Sequence, residues 1–301
     1  MEVESQQVEI KNREKVFFPE YGITKGDLID YYERISDYIL PFLENRPLSL
    51  RRYPDGITTK GFFQKEVPDY FPNWIETTEV EKKEGGTIRQ VLCNNKATLI
   101  YLVNQGTLSM HPWLSRLPEL NKPDHLVFDL DPPDHNFKPV IEGTRILKKI
   151  LDELGVPAFI MTSGGKGLHI VCPLKPVSGF DTVRSFAKKT AQYAAGKDPD
   201  SFTTEVRKDE RKNRVFIDYL RNGYAQTSIA PYSARAQQNA TVATPLAWDE
   251  LNKNGLTSGY YHIKNIFRRL NQIEDPWKEF YSKACYLENF IPKLDKLADK
   301  S

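Results

Sequence analysis

Three acids and one glycine-flanked lysine carry most of the chemistry legible in this chain. Asp129 and Asp131 interrupt an apolar run, HLVFDLDPPD (125–134), and Asp218 lies inside another, VFIDYL (215–220). A carboxylate within an apolar strand needs a partner or a metal. Side chains on a strand alternate faces, so residues two apart share one. Asp129 and Asp131 therefore point together, while Phe128 and Leu130 point the other way. A cluster of carboxylate oxygens suits a hard cation, Mg²⁺ or Mn²⁺, rather than zinc. Two such ions on three aspartates make the kind of site used for phosphoryl and nucleotidyl transfer. The bland reading is a strand ending in a polar turn, and the third acid in VFIDYL weighs against it.

A second feature is TSGGKGLHIV (162–171). Glycines let backbone N–H groups approach an anion, and Ser163, Lys166 and His169 add donors. It is not a Walker A loop: Gly follows Lys166 where Ser or Thr is required, and a strand comes next. A plain Gly-rich hairpin turn explains the glycines but not Lys166 or His169. Near Asp218, KDERKNR (208–214) reads as a solvated loop, with Arg214 facing the site. Arg221, Gln226 and Arg235 follow, and positive groups here would offset the acids and steer a polyanion. Phe62 and Phe63 stand between Lys60 and Lys65, and Lys11, Arg13, Lys15 and Lys25 flank Phe17 and Phe18. Exposed rings stack on unpaired bases and lysines hold phosphates, although most phenylalanines are core. No H-E-x-x-H pair and no G-x-S-x-G elbow is present, and His111 by itself reads as a structural histidine.

The elements that must position these groups follow from periodicity. HLVFDLD, PAFIMTS, LHIVCPL and NRVFIDYL read as strands, and EGTRILKKILDELG, ending at Gly155, and DTVRSFAKKTAQYAAG as helices. The order is β-α-β-β-α-β, the ferredoxin-like pattern, an α+β core. In it the first strand lies between the third and fourth, so Asp218 neighbours the DxD strand. Both helices cover one face and leave the other free for a site. Upstream, Thr24 caps a helix running to about Asn45, with Asp27 completing a capping box, and ATLIYLV (97–103) reads as a strand. These belong to a mixed α/β N-terminal lobe.

The chain has 301 residues, a net charge of +2, and 15 Tyr and 16 Phe. A polyanion must therefore be met by a local basic patch. Three distant cysteines, Cys93, Cys172 and Cys285, argue against a zinc finger and suit a reducing cytosol. The polar start shows no secretory signal, and no apolar run approaches membrane length. A cytoplasmic, nucleoid-associated protein is expected.

HLVFDLDPPD, SGGKGLHIVCPL and VFIDYLRN resemble, in this order, the three signature motifs of the archaeo-eukaryotic primase superfamily. SLRRYPDGI, KGFFQKEVP, LSMHPW and QTSIAPYSARA resemble one branch, the polymerase domain of bacterial DNA ligase D and its stand-alone relatives in non-homologous end joining. The resemblance implies one primase-polymerase domain over 1–301, with an RRM-like catalytic lobe at 121–301 and DNA-end elements in 1–120. Asp129, Asp131 and Asp218 match its metal ligands for two Mn²⁺ or Mg²⁺ ions. Ser163, Lys166 and His169 match contacts to the NTP triphosphate. Arg52, His111, Arg214, Gln226 and Arg235 resemble other nucleotide contacts. Asn12, Lys15 and Lys25 resemble a pocket for the 5′-phosphate of gapped or broken DNA, and Phe62 and Phe63 aromatics that stack on the template. NTPs, with ribonucleotides preferred over dNTPs, are the implied substrates, and Ku and a separate ligase the candidate partners. The alternatives are a primase that starts chains de novo and a non-catalytic module that bridges DNA ends.

Overall fold

A computed structural model describes residues 1–4, 6–82, 84–134 and 136–299. The chain divides into two compact units, one of 1–117, 227–243 and 261–269, the other of 118–226, 244–260 and 270–301. The division is thus not a single cut near residue 120. The reason lies in the backbone: Ser228 and Ala230 donate to the carbonyls of Pro112 and Met110, and the Ser109 hydroxyl donates to Ala234 O. These bonds tie the 227–243 segment to the first unit.

In the first unit, β1 (Glu2–Val3) pairs with β2 (Gln6–Gln7), and β3 (Val16–Phe18) with β4 (Ile23–Thr24). Helix α1 (Lys25–Ile39) starts at Thr24 with the expected capping box to Asp27. It ends earlier than expected because Pro41 cannot continue it. β5 (Leu48–Arg52) pairs with β6 (Phe62–Gln64), and β7 (Thr77–Glu81) with β8 (Thr87–Val91). The ATLIYLV run is not a strand but lies in helix α2 (Lys96–Asn104), capped by Asn95, whose side chain accepts from Thr98 N. All of Ala97–Val103 is buried, and an apolar run buried on every side shows no period that separates strand from helix. β9 (Thr107–Pro112) completes a three-stranded sheet, β6-β5-β9. Phe17 and Phe18 are core residues, not nucleic-acid contacts.

The second unit bears out the β-α-β-β-α-β order. It contains β10 (His125–Asp131), α3 (Lys138–Leu154), β11 (Phe159–Thr162), β12 (Leu168–Pro173) and α4 (Phe180–Lys197). β13 (Phe202–Thr203), β14 (Val215–Asp218) and β15 (Pro245–Leu246) complete it. The sheet order is β13-β14-β10-β12-β11-β15, so β10 lies between β12 and β14 as the pattern requires. α3 stops at Gly155, whose φ of 84° is the left-handed conformation that closes a helix. α3 packs on β10, β12 and β14, and α4 on β10, β13 and β14. The packing is close: a Cβ on Gly143 of α3 would meet Leu130 at 3.2 Å. Burying Phe128 and Leu130 here is worth about 2 kcal/mol each.

The opposite face is only half free. At the His125 end, Phe280 and Tyr281 pack on His125, and Trp277 and Phe280 on Phe159. At the aspartate end Asp131 is half-buried and lines a cleft. Among the described residues, no helix is long and apolar enough to cross a membrane.

Candidate active site

Strand register builds the acidic centre. Asp129 on β10 sits opposite His169 on β12 and opposite Asp218 on β14, forming one row across three strands. Asp131, two residues on, shares that face and sits opposite Phe216. His169 Nε2 is 3.2 Å from Asp129 Oδ1, and Arg221 Nε lies 3.8 Å from Asp129 Oδ2 and 3.5 Å from Asp218 Oδ2. Asp129, Asp218 and His169 are buried. Burial and the charge of Asp129 push the Asp131 carboxyl up to about 6, against the pull of His169 and Arg221. Asp218 is also raised, first by burial and then by Asp129, while the Leu220 N–H and Arg221 hold it down.

β14 ends sooner than the expected NRVFIDYL strand. The Asp218 carboxylate accepts from Leu220 N at 2.7 Å, which turns the chain. Leu220 therefore does not share the strand face. Asn222 then takes the place of the missing strand. Fully buried, it accepts from Val127 N at 2.8 Å and donates to Val127 O at 2.7 Å. This single side chain continues the ladder beside β10, two residues before Asp129, and so fixes Arg221 next to the acids. Nothing in periodicity marks Asn222, because its role depends on the strand stopping at Asp218.

The SGGKG loop is tied directly to the acidic strand. A Cβ on Gly167 would meet Leu130 O at 1.9 Å, so only glycine fits there. Ser163 Oγ accepts from Gly165 N at 3.2 Å and Gly167 N at 3.1 Å, and lies 3.1 Å from Ser258 Oγ. Those two N–H groups cap Ser163 and are not presented to an anion, contrary to the simple nest expected. Lys166 is exposed and, with Asp131, Lys208, Arg211 and Asn213, lines a cleft of about 200 Å³. Arg214 does not face it: its guanidinium donates to Arg211 O, Pro199 O and Glu210 O. Arg211, packed 3.8 Å over the Phe216 ring and itself donating to Glu205 O and Val206 O, lines the cleft instead. The sequence holds both arginines in one charged run, and only the left-handed turn at Lys212 and Asn213 decides which points inward. Gln226 is exposed and its N–H donates to Gly223 O.

The remaining expected residues lie in the first unit. Asn12, at a left-handed φ of 56°, makes a turn in which its carbonyl accepts from Lys15 N. Lys25 N donates to Lys15 O, which brings the two lysines together. Lys25 is 7% exposed and its ammonium donates to Lys11 O; burial and Lys15 lower its pKa. Lys15 pairs with Asp55 at 2.6 Å. His111 on β9 meets the Phe63 ring edge-on, 5.5 Å between centroids. The Arg235 N–H donates to Thr241 O. Arg52 is not free for a nucleotide: it is buried, with donors spent on Gln105 O, Gln64 Oε1 and the Tyr70 hydroxyl.

Among the described residues no three His, Cys, Asp or Glu side chains stand as a ready ion cage. The donor set nevertheless fits a hard divalent cation: burial first, and the charge of Asp129 after it, raise the Asp131 and Asp218 carboxyls, and a cation offsets both.

Residues 24–277 match the family described as LigD, primase-polymerase domain. The chain is 33% identical over 270 residues to the bifunctional non-homologous end joining protein LigD of Bacillus subtilis (strain 168), covering 89% of this chain and 43% of that protein. It is 32% identical over 278 residues to the multifunctional non-homologous end joining protein LigD of Pseudomonas aeruginosa, covering 91% and 33%. In structure it is similar to the polymerase domain of Mycobacterium tuberculosis Ligase D in complex with DNA. The TM-score is 0.86 at 30% identity, covering 93% of this chain and 99% of that one. The chain thus spans well under half the length of these curated relatives, but nearly the whole of the solved domain.

Proposed function

The chain belongs to the LigD primase-polymerase domain family, and we propose that it is a template-directed nucleotidyltransferase that extends primer 3′ ends at gaps and double-strand breaks. The observation that carries this reading is the row Asp218–Asp129–His169 with Asp131 on the same face. Two divalent cations, Mn²⁺ or Mg²⁺, held by Asp129, Asp131 and Asp218, would neutralise triphosphate charge and favour ionisation of the primer hydroxyl.

The chain's own residues supply positioning and charge. Lys166, Lys208 and Arg211 line the cleft beside Asp131 and offer cations to the triphosphate of an NTP. His169 stands beside Asp129, and Arg221 balances the acids until a cation joins them. Ser163 shapes the loop that presents Lys166. His111, Gln226 and Arg235 are the further candidates for nucleotide contact. Lys15 and Lys25, brought together by the Asn12 turn, form the pocket for a downstream 5′-phosphate. That dianion would displace Asp55 from Lys15 and restore the preference of Lys25 for its charged form. Ribonucleotides as preferred substrates, placement in the cytoplasm beside nucleoid DNA, and cooperation with Ku and a separate ligase complete the proposal.

The test is extension of a recessed 3′ end on a gapped duplex carrying a downstream 5′-phosphate. Both rNTPs and dNTPs are supplied, with Mn²⁺ or with Mg²⁺. Template-dependent extension is expected; none in any combination contradicts the reading.

A further inference from the structure

The Arg221 guanidinium stands beside two of the three carboxylates assigned to the metals. Its Nε lies 3.5 Å from Asp218 Oδ2 and 3.8 Å from Asp129 Oδ2. Both distances exceed the roughly 2.7–2.9 Å of a charge-assisted hydrogen bond. Arg221 is therefore a loose counter-ion to this pair of acids and not a bonded clamp on them. The Leu220 N–H takes Asp218 Oδ1, and Arg221 faces Oδ2. The Arg221 side chain is 44% exposed, against 9% and 12% for Asp129 and Asp218, so the arginine has a way out into solvent and the acids do not.

The backbone beneath it is fixed. Arg221 lies in the short turn Leu220–Asn222, between the Leu220 bond to Asp218 and the Asn222 bonds to Val127. A guanidinium displaced from the acids thus stays tethered three residues from Asp218, at high effective concentration. An ion that enters beside Asp129 and Asp218 meets a like charge within about 4 Å. Lysine or histidine could relieve that conflict by losing a proton. Arginine stays charged, so it must move.

We propose that Arg221 is a built-in competitor of the metal: it weakens cation binding by the nucleotide-free protein and yields the carboxylates when a nucleoside triphosphate brings both the cation and a new anion for the guanidinium. Cation and nucleotide then bind with positive linkage, and the coupling is reciprocal. The acids stay partly neutralised while no ion is bound. The inference rests on the metal reading of the acids above and adds to it the order in which the site fills.

The test measures Mn²⁺ binding to the nucleotide-free full chain by calorimetry at pH 8, above the raised value of about 6 for Asp131. Arg221→Gln should bind Mn²⁺ about fivefold more tightly than wild type or better, the scale of a water-screened like-charge contact near 4 Å. Arg221→Lys, which keeps the charge, should stay near wild type. The gain in affinity for an unreactive triphosphate analogue on adding Mn²⁺ should be correspondingly smaller in Arg221→Gln. Arg221 is half-exposed, so its variants should melt within a few degrees of wild type. Equal or weaker Mn²⁺ affinity in Arg221→Gln, undetectable binding in both proteins included, overturns the competition. A rise in Arg221→Lys as large as in Arg221→Gln also overturns it, because charge is then not the cause. An equal gain with the analogue in wild type and Arg221→Gln overturns the linkage. Mn²⁺ binding undiminished in Asp129→Ala overturns instead the metal reading on which the inference rests.

Discussion

The acidic face of the second unit and the Lys15–Lys25 pair of the first are built by opposite means. On the acidic face, regular strands carry the groups, and antiparallel register alone sets Asp129 between His169 and Asp218. Of the lysine pair, only Lys25 stands in a regular element. Lys15 follows a left-handed turn at Asn12, Lys25 opens α1, and one backbone bond joins them. Charges repel within both. Asp129 and Asp218 are buried beside His169 and Arg221, whereas Lys15 uses an exposed pair with Asp55 that water already weakens. Groups fixed by register suit chemistry that tolerates little displacement. Groups fixed by a turn suit capture of a mobile phosphate.

The sharpest way to break the contrast is through the acids. Asp218→Ala should lower extension by roughly a thousandfold or more, because one charge-stabilising group of a preorganised site is lost. Gapped-duplex affinity, set elsewhere, should stay within about threefold by fluorescence anisotropy. A drop in affinity as large as the drop in rate would mean that the two regions do not divide their work in this way.

A smaller effect comes from the ladder. Asn222→Ala strands both Val127 backbone groups in a buried site and should cost about 2–4 kcal/mol in chemical denaturation. Asn222→Asp should cost a comparable amount, since a carboxylate cannot donate to Val127 O. A loss under about 0.5 kcal/mol would show that water or the backbone takes over.

The lysine pair should respond more mildly. Lys15→Ala should reduce the preference for 5′-phosphate over 5′-hydroxyl DNA by about tenfold, the worth of one charge-assisted bond. Affinity for DNA lacking the phosphate should change far less. Equal loss on both substrates would make Lys15 a general backbone contact.

The smallest effect is in pH. The Asp131 carboxyl is raised to about 6 in the folded chain, above its unfolded value near 4. The folded state therefore binds this proton more tightly, and cation-free stability falls as pH rises between about 4 and about 6, then levels. Relative to Asp131→Asn, the melting temperature without divalent ions should gain about a few degrees on moving from pH 7 to pH 5. Saturating Mn²⁺ should cancel or reverse that gain.

The contrast also explains what was legible in the sequence. Period-two alternation places Asp129 and Asp131 on one face, and the strand–helix order makes Asp218 a neighbour, so the acidic row follows from pattern alone. Gly155 and the Thr24–Asp27 box announce helix ends through chemistry that acts locally. Where the answer depends on surroundings, the pattern is silent. Ala97–Val103 is buried on all sides, so its helix shows only in the Asn95 cap. The exchange of Arg214 for Arg211 turns on two left-handed residues in a loop. The capping of Gly165 and Gly167 by Ser163, and the spending of Arg52 on Gln105, arise from contacts that no spacing encodes.

The central claim is that the acidic row performs the transfer while other residues hold the DNA. The most direct measurement compares wild type and Asp129→Ala in gap filling and in gapped-duplex binding, on the same preparations with Mn²⁺. Extension by the wild type alone, with both proteins binding the duplex comparably, is the predicted result. Extension by Asp129→Ala at a rate near that of the wild type would contradict the account.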